Sequence, residues 1–579
     1  MIILGVSCFS HDTSACLIAD GQIVAMTEEE RFSRIKHDTG FPHHAIQFVL
    51  DEGNQRSEEI DIVALPYEFF IGLGRRFAYG LKNLRKAPSF LLLNLGNELA
   101  TYMGFEAKIR GNFERSGIPL KKSCRIICYE HHLAHIASGY LASPYDDAML
   151  ISWDGRGEWP CVMLAHGHGL DIDVIDRSYF PNSVGQVYQA VTQFMGFSDI
   201  GDEYKVMGLA AYGKPVYKDS FQRFLKTEGT RISVSQKYMN YHIYNRHMAD
   251  RYTMKLEKEV GKPRRLGEPM EQRHMDIAAS IQAHVSDIGV DIANKLQKKN
   301  GCKNLCLAGG VAQNIMMNQA IYERTDFENI FVQPASHDAG LALGAALLAA
   351  RDNGDMKERF VMETAAWGKS YSTDEIRTEL ENYGLGYAPL DNAPETTARM
   401  IADGKVVGWF NGRTEFGARA LGNRSILADA RNPDMKDIVN RKIKFRESFR
   451  PFAPSILAER ALEYFEGSPV NPFMTFYARV TSQHANDVKA ITHVDGSARP
   501  QAVYKESNRK YWEMIKCVEK HTGAPMVMNT SFNIKGEPIV NSPSDALRTF
   551  FTTGLDFLVI EDLVVYKTDF EDVKQYLND

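Results

Sequence analysis

The feature that most constrains the fold is a pattern that occurs twice. Ile2-Ile3-Leu4-Gly5-Val6 predicts a strand, His11-Asp12-Thr13-Ser14 a polar turn and Ala15-Cys16-Leu17-Ile18 a second strand. Asp20-Gly21 signals a hairpin into a third strand, Ile23-Val24-Ala25-Met26. About 145 residues later the order returns. Met149-Leu150-Ile151 leads to the turn Asp154-Gly155-Arg156-Gly157, then to Cys161-Val162-Met163-Leu164, Gly167-His168-Gly169 and Ile172-Asp173-Val174-Ile175. Strand, acidic turn, strand, glycine turn, strand, met twice, predicts an internal duplication.

Two such copies facing each other make the α/β fold shared by actin, sugar kinases and Hsp70 chaperones, with both polar turns directed at the cleft. Later segments agree. After Lys205, Val206-Met207-Gly208-Leu209-Ala210-Ala211-Tyr212-Gly213 places small residues where backbone approaches a ligand. Leu305 to Asn314 reads as strand, the pair Gly309-Gly310, then helix, an arrangement that aims N–H groups at a phosphate. Lys205, Gly208, Gly309, Gly310 and Asn314 are therefore candidate nucleotide-binding residues. A lone Gly-Gly is a weak signal, and its place in the second copy is what strengthens it.

Between the copies lies Tyr129-Glu130-His131-His132-Leu133-Ala134-His135, after a short strand at 125–128. His131 and His135 are four apart, so on a helix they share one face, as two ligands of one ion must. Asp154 ends a buried strand, well placed to join them. Asp338, in Ser336-His337-Asp338-Ala339-Gly340, is a fourth candidate ligand at a strand-to-helix junction. The bland alternatives are a helix cap for Asp338, and a cap and core positions for the histidines.

A chain of 579 residues predicts three or four structural units at roughly 150 residues each. We place one domain at 1–352, a linker at 353–366 and a second domain at 367–579, where the composition changes. A net charge of -6 offers no footprint for nucleic acid. No apolar run reaches membrane-span length, and a strand begins the chain, so a cytoplasmic protein without a signal peptide is expected. The eight cysteines sit mostly in apolar runs and read as reduced core thiols. The charges within Phe69 to Glu114, including Arg75 and Arg76, read as a solvated helix face, and Tyr217 to Gln272 as an insertion that shapes an acceptor pocket. In the second domain, Arg413, Arg419, Arg424, Arg441, Lys442, Lys444, Arg446 and Arg450 interrupt glycine-rich or apolar text, which fits a pocket for anions.

Several motifs in order carry a more specific signal. They are Ser10-His11-Asp12-Thr13-Ser14-Ala15, Glu28-Glu29-Glu30-Arg31-Phe32, His131-His132-Leu133-Ala134-His135, Lys205-Val206-Met207-Gly208-Leu209-Ala210 and Ala308-Gly309-Gly310-Val311. In the second half follow Gly417-Ala418-Arg419-Ala420-Leu421-Gly422, Phe449-Arg450-Pro451-Phe452-Ala453-Pro454 and Asn529-Thr530-Ser531-Phe532-Asn533. Over nearly its whole length the chain resembles the O-carbamoyltransferase family that includes the nodulation-factor, cephalosporin and aminoglycoside carbamoyltransferases.

The resemblance implies an actin-like, Kae1-like N-terminal domain and an α+β, YrdC-like C-terminal domain. It implies that the second domain makes carbamoyl-adenylate from carbamoyl phosphate and ATP with Mg2+. The first would then transfer the carbamoyl group to a hydroxyl of a small-molecule acceptor. Carried over residue by residue, His131, His135, Asp154 and Asp338 hold a metal, Fe2+ by resemblance. Their ligand types suit manganese or zinc equally. His11 and Asp12 act at the acceptor hydroxyl. Arg419, Lys444, Arg450, Arg499, Asn529 and Ser531 bind carbamoyl phosphate and ATP. Competing readings are a tRNA threonylcarbamoyl-type enzyme, which the acidic balance disfavours, and a small-molecule kinase, which needs no His-x-x-x-His. The partners implied are carbamoyl phosphate, ATP and the acceptor, with no membrane or nucleic acid, and a homo-oligomer is compatible with all of this.

Overall fold

A computed structural model describes the chain except residues 86–87, 198, 200, 243–249, 448, 468, 568–570 and 578–579, and the side chains of 88–101 and 572. It divides into two compact units. The first comprises Met1–Glu29 and His37–Met362, the second Glu30–Lys36 and Glu363–Asp579. The division after Met362 falls inside the expected linker. The seven residues Glu30–Lys36 pack with the second unit, although sequence order placed them in the first domain.

In the first unit, β1 (Ile2–Ser7), β2 (Ser14–Ala19), β3 (Gln22–Glu28), β4 (Ile62–Leu65) and β5 (Arg125–Cys128) form a sheet ordered β3-β2-β1-β4-β5. Then come β6 (Asp147–Trp153), β7 (Pro160–His168), β8 (Asp171–Tyr179) and a separate hairpin of β9 (Leu225–Glu228) and β10 (Arg231–Val234). With β11 (Asn304–Ala308) and β12 (Asn329–Val332) the second sheet is ordered β8-β7-β6-β11-β12. Both sheets join three antiparallel strands to two parallel ones in the same order. The duplication is therefore topological as well as textual, and the unit has the actin-like α/β fold expected of it.

Small residues let the pieces around the first turn approach. A Cβ on Gly5 of β1 would lie 2.0 Å from the Ala342 carbonyl oxygen in the helix Gly340–Asp352. A Cβ on Gly344 of that helix would lie 1.8 Å from the Ala134 carbonyl oxygen in the helix His131–Tyr140. Gly-Leu-Ala-Leu-Gly-Ala-Ala at 340–346 thus packs backbone to backbone on two neighbours, fixing where Asp338 and the two histidines meet.

Phe69 to Glu114 is helical as expected, over Leu73–Lys82 and Pro88–Arg115. Its charge is not simply a solvated face. Arg76 is buried, 5.6 Å from the ring centre of Trp159, while Leu73, Phe77 and Leu81 are exposed. No helix among the described residues is long and apolar enough to cross a membrane, and all eight cysteines are free thiols.

The second unit is α+β. Its strands are β13 (Tyr387–Pro389), β14 (Val407–Phe410), β15 (Arg424–Ala428), β16 (Ala453–Leu457), β17 (Phe465–Glu466), β18 (Ala478–Val480), β19 (Ser497–Ala498), β20 (Gln501–Val503), β21 (Met526–Ser531), β22 (Phe557–Ile560) and β23 (Leu563–Val565). Eight form a mixed sheet ordered β13-β23-β22-β14-β15-β21-β16-β20. Alternate residues enter different cores, as the pleat requires. Ile426, Met528 and Leu558 pack with the helices Thr373–Asn382 and Pro543–Thr552. Leu427, Val527 and Val559 pack with Ala393–Ala402 and Arg509–Thr522.

Candidate active sites

In the first unit the four expected ligands converge. His131 Nε2 and His135 Nε2 lie 3.1 and 3.2 Å from Asp154 Oδ2 and 3.1 Å from each other. Asp338 Oδ1 lies 3.8 Å from His131 Nε2 and 3.6 Å from His135 Nε2. Donor bonds of 2.0–2.2 Å at tetrahedral angles place ligand atoms about 3.4 Å apart, so the donor set fits one divalent cation. Asp338 is no helix cap; Ala339 occupies that position, without a side-chain bond.

Local structure aims each ligand. Asp154 Oδ1 accepts the Gly155 N–H at 2.6 Å, which leaves Oδ2 to the imidazoles. Buried His132 is the core fastener among the three histidines. Its Nδ1 is 2.8 Å from Ser152 Oγ and its Nε2 3.1 Å from the Pro160 carbonyl, and burial pushes it well below the ordinary histidine range. The Glu158 carboxylate accepts the His131 N–H at 3.2 Å, where a helix N-terminus favours negative charge. Without a metal, burial would lower the His131 pKa, but Asp338 and Asp154 raise it to about 9. Burial likewise opposes ionisation of Asp154, whose bonds to the two histidines hold it well below the carboxylate range.

His11 stands beside this cluster on the turn after β1. Its Nδ1 is 2.9 Å from Asp12 Oδ2, and its Nε2 is 3.8 Å from Asp338 Oδ2. Asp338 first, then Asp12, raises its pKa to about 10 against the desolvation that lowers it. Asp12 also takes His37 Nδ1 at 2.6 Å. Phe9 and Asp12 both have φ near +60°, and such strain at non-glycine residues persists where surrounding contacts enforce it.

The candidate nucleotide residues are less united. Gly309 has φ 85°, and a Cβ there would lie 2.1 Å from the Trp153 carbonyl oxygen. A Cβ on Gly310 would lie 3.1 Å from Asp154 Oδ1. These glycines therefore bed the Asp154 turn, and a 3-10 turn, Gly310–Gln313, follows them before the helix starts at Ile315. Asn314 caps that helix through the Met317 N–H and exchanges bonds with Gln282, so its amide is already engaged. Lys205 pairs with Asp202 at 2.6 Å, and Gly208 lies inside the helix Glu203–Leu209.

In the second unit, cations gather around Lys444 and Arg499. Burial lowers Lys444 well below the lysine range, aided by Arg446, Arg450 and Lys36. Burial, then Arg419, Arg446 and Arg450, lowers Arg499 likewise. Lys444 Nζ donates to the Ser531 carbonyl and to Asn533 Oδ1 at 2.8 Å, and Ser531 Oγ lies 2.7 Å from the same oxygen. Arg450 is 3.6 Å from Glu447. Buried Asn529 donates to Ser455 Oγ at 2.9 Å and to the Ala420 carbonyl, while its Oδ1 has no partner among the described residues. A cluster that lowers its own cations is stabilised by any anion that enters it.

Not every cation of that stretch belongs to the pocket. Arg424 is fully buried, 3.6 Å from the Phe410 ring centre, and donates to the carbonyls of Asn411, Gly412, Asn423 and Lys369. Arg413 donates to Gly368 and Trp367. Both are structural. Ser10, Glu158 and Asn533 were missed as site residues. The spacing Lys444-x-Arg446 opposite Ser531-x-Asn533 was the available signal for the last.

Comparison with known proteins follows the same division. Residues 2–347 match the family model described as carbamoyltransferase N-terminus, and residues 398–567 that described as carbamoyltransferase C-terminus. The nodulation protein NolNO of Sinorhizobium fredii is 37% identical over 569 residues, covering 96% of this chain and 79% of that protein. The nodulation protein NolO of Bradyrhizobium diazoefficiens is 40% identical over 448 residues, covering 76% and 78%. Among solved structures, HypF of T. kodakarensis aligns at 15% identity and a TM-score of 0.30, over 61% of this chain and 48% of that one.

Proposed function

The chain belongs to the carbamoyltransferase family, and from that premise we propose an ATP-dependent O-carbamoyltransferase with two half-reactions, one in each domain. The second domain, 367–579, would bind carbamoyl phosphate and ATP at Arg419, Lys444, Arg450, Arg499, Asn529 and Ser531. Water would release phosphate from carbamoyl phosphate, the carbamate oxygen would attack the α-phosphorus of ATP and pyrophosphate would leave; Mg2+ bound with ATP would offset phosphate charge. The first domain, 1–352, would receive the carbamoyl-adenylate and pass its carbamoyl group to a small-molecule hydroxyl, releasing AMP.

The observation that carries this reading is the convergence of His131, His135, Asp154 and Asp338 beside His11. A hydroxyl is a poor nucleophile at neutral pH and needs a base within reach. With a divalent cation neutralising Asp338, whose charge is the largest cause raising the His11 pKa, His11 Nε2 would take that proton, while Asp12 at Nδ1 holds the ring's orientation and stabilises the imidazolium. A divalent metal, Fe2+ by family resemblance, would supply Lewis-acid polarisation of the carbamoyl carbonyl. In the second domain, Lys444 and the arginines would neutralise phosphate charge, and the fork of Arg450 suits two oxygens of one anion.

The test is to incubate the protein with ATP, carbamoyl phosphate, Fe2+ and a panel of alcohols, sugars and aminoglycosides. Pyrophosphate release and acceptor mass are then followed. Gain of one carbamoyl group that requires both co-substrates supports the reading. Pyrophosphate release without carbamoyl phosphate, or phosphate transfer to the acceptor, rejects it.

A further inference from the structure

The motif Glu28-Glu29-Glu30-Arg31-Phe32 has no part in the chemistry above, yet three of its residues leave the first unit and pack within the second. Arg31 is 2% exposed, pairs with Glu30, and donates from Nη2 to the Gly417 carbonyl at 2.8 Å. Gly417 is two residues before Arg419. Three residues on, Arg34 donates to the carbonyls of Ile539 and Pro538 at 2.6 and 2.9 Å and lies 3.3 Å from Asp545.

The loop that carries Arg419 is tied along its backbone. Phe416 N–H donates to the Ala365 carbonyl at 2.7 Å. Glu415 Oε1 accepts the N–H groups of Leu421 at 2.7 Å and Asn423 at 2.8 Å. Asn529 Nδ2 reaches the Ala420 carbonyl at 3.2 Å, and Gln501 Nε2 the Leu421 carbonyl at 2.7 Å. Gly422, at φ 104°, packs where a Cβ would strike the Tyr511 ring at 2.2 Å. All these ties come from the second half of the chain except the one on Gly417, which comes from residue 31.

We infer that Arg31 is a positioning residue for the anion site of the second unit. The inference rests on the reading of that site as the carbamoyl phosphate and ATP pocket. The guanidinium holds the Gly417 carbonyl so that Arg419 meets the anion at hydrogen-bond distance. Burying a guanidinium is costly unless it is paired and hydrogen-bonded, and Arg31 meets that need through Glu30 and the Gly417 carbonyl. Displacement of a binding group by about 1 Å is enough to cost orders of magnitude in rate. Arg34 fastens the other end of the segment and acts on stability alone.

The experiment compares Arg31→Ala, Arg31→Lys and Arg34→Ala in the full-length protein, following pyrophosphate release with carbamoyl phosphate and ATP varied separately. Arg31→Ala is expected to raise the KM for carbamoyl phosphate by roughly tenfold to a hundredfold, with partial recovery on adding guanidinium ion. Arg31→Lys keeps one donor and falls between. Arg34→Ala is expected to lower Tm and leave that KM unchanged. A wild-type KM in folded Arg31→Ala or Arg31→Lys overturns the inference, as does an equal KM rise in Arg34→Ala. If the wild-type protein releases no pyrophosphate, the functional reading fails instead. Calorimetric titration with inorganic phosphate then decides the role of Arg31: weaker binding in the Arg31 variants upholds it, and unchanged binding rejects it.

Discussion

Ser10 donates its hydroxyl to Asp338 Oδ2 at 3.0 Å, joining residues 328 apart in sequence. The bond gives the two oxygens of Asp338 separate duties. Oδ2 faces Ser10 and His11, while Oδ1 faces His131 and His135. The turn after the first strand of copy one is thus attached to the turn after the last strand of copy two.

Asp338→Asn keeps an acceptor for Ser10 but removes the charge a divalent cation needs, and His131→Ala removes a donor outright. Both are expected to purify with little bound metal by elemental analysis while retaining wild-type circular dichroism. Normal metal content in either would reject the four-ligand assignment.

His11 acts on the acceptor hydroxyl in the proposed reaction, not on the anions of the second unit. His11→Ala is expected to slow carbamoyl transfer by about 10²–10⁴-fold with pyrophosphate release retained. A wild-type transfer rate would remove His11 from the chemistry.

Arg499 and Arg450 are tested by separating the half-reactions. Loss of a charge-assisted bond costs about 1.5–3 kcal/mol, and lysine cannot reproduce the arginine fork. Arg499→Ala and Arg450→Lys should therefore lose carbamoyl-adenylate formation roughly tenfold or more with normal metal content. Preformed carbamoyl-adenylate should restore transfer in both, but not in His131→Ala. Failure of that rescue would contradict two separate sites.

His284 gives a pH-dependent prediction away from both sites. It is buried, with Nε2 2.8 Å from the Leu225 carbonyl, and desolvation pushes its pKa below the ordinary 6.5. The folded state therefore resists a proton that the unfolded chain accepts. Its contribution is complete above about pH 6.5 and is lost as pH falls below that value. Tm should fall between pH 7 and pH 5, and His284→Gln, which still offers a donor but does not titrate, should flatten that fall. Parallel slopes in the two proteins would show that His284 is not responsible.

Much of the first unit was legible because its signals are local. Strand ends fix where Asp154 and Asp338 lie, and helical spacing fixes how His131 and His135 face. The duplication needed only the order of strands and turns. What escaped depends on long-range packing. Nothing near Ser10 in sequence announces a bond to residue 338, and nothing near Gly309-Gly310 announces the close approach of the Trp153 carbonyl. Asn314 looks available until the capped helix and Gln282 take its amide. In the second unit the cationic stretch was visible, but only tertiary contacts separate Arg424, spent on carbonyls and Phe410, from Lys444 and Arg499, which lie beside other cations.

The bond from Arg34 to Ile539 spans 505 residues, and this sets a schedule for biosynthesis. At about 5–20 residues per second the ribosome needs roughly 25–100 s to reach the carbonyls that Arg34 will bind. Through that interval Glu30–Lys36 stays undocked while the strands on either side already have their partners. The second unit therefore ripens last and depends on a peptide made first. A gene cut after Met362 would encode a downstream product lacking seven residues of its own fold, and restoring it would take the upstream product supplied in trans.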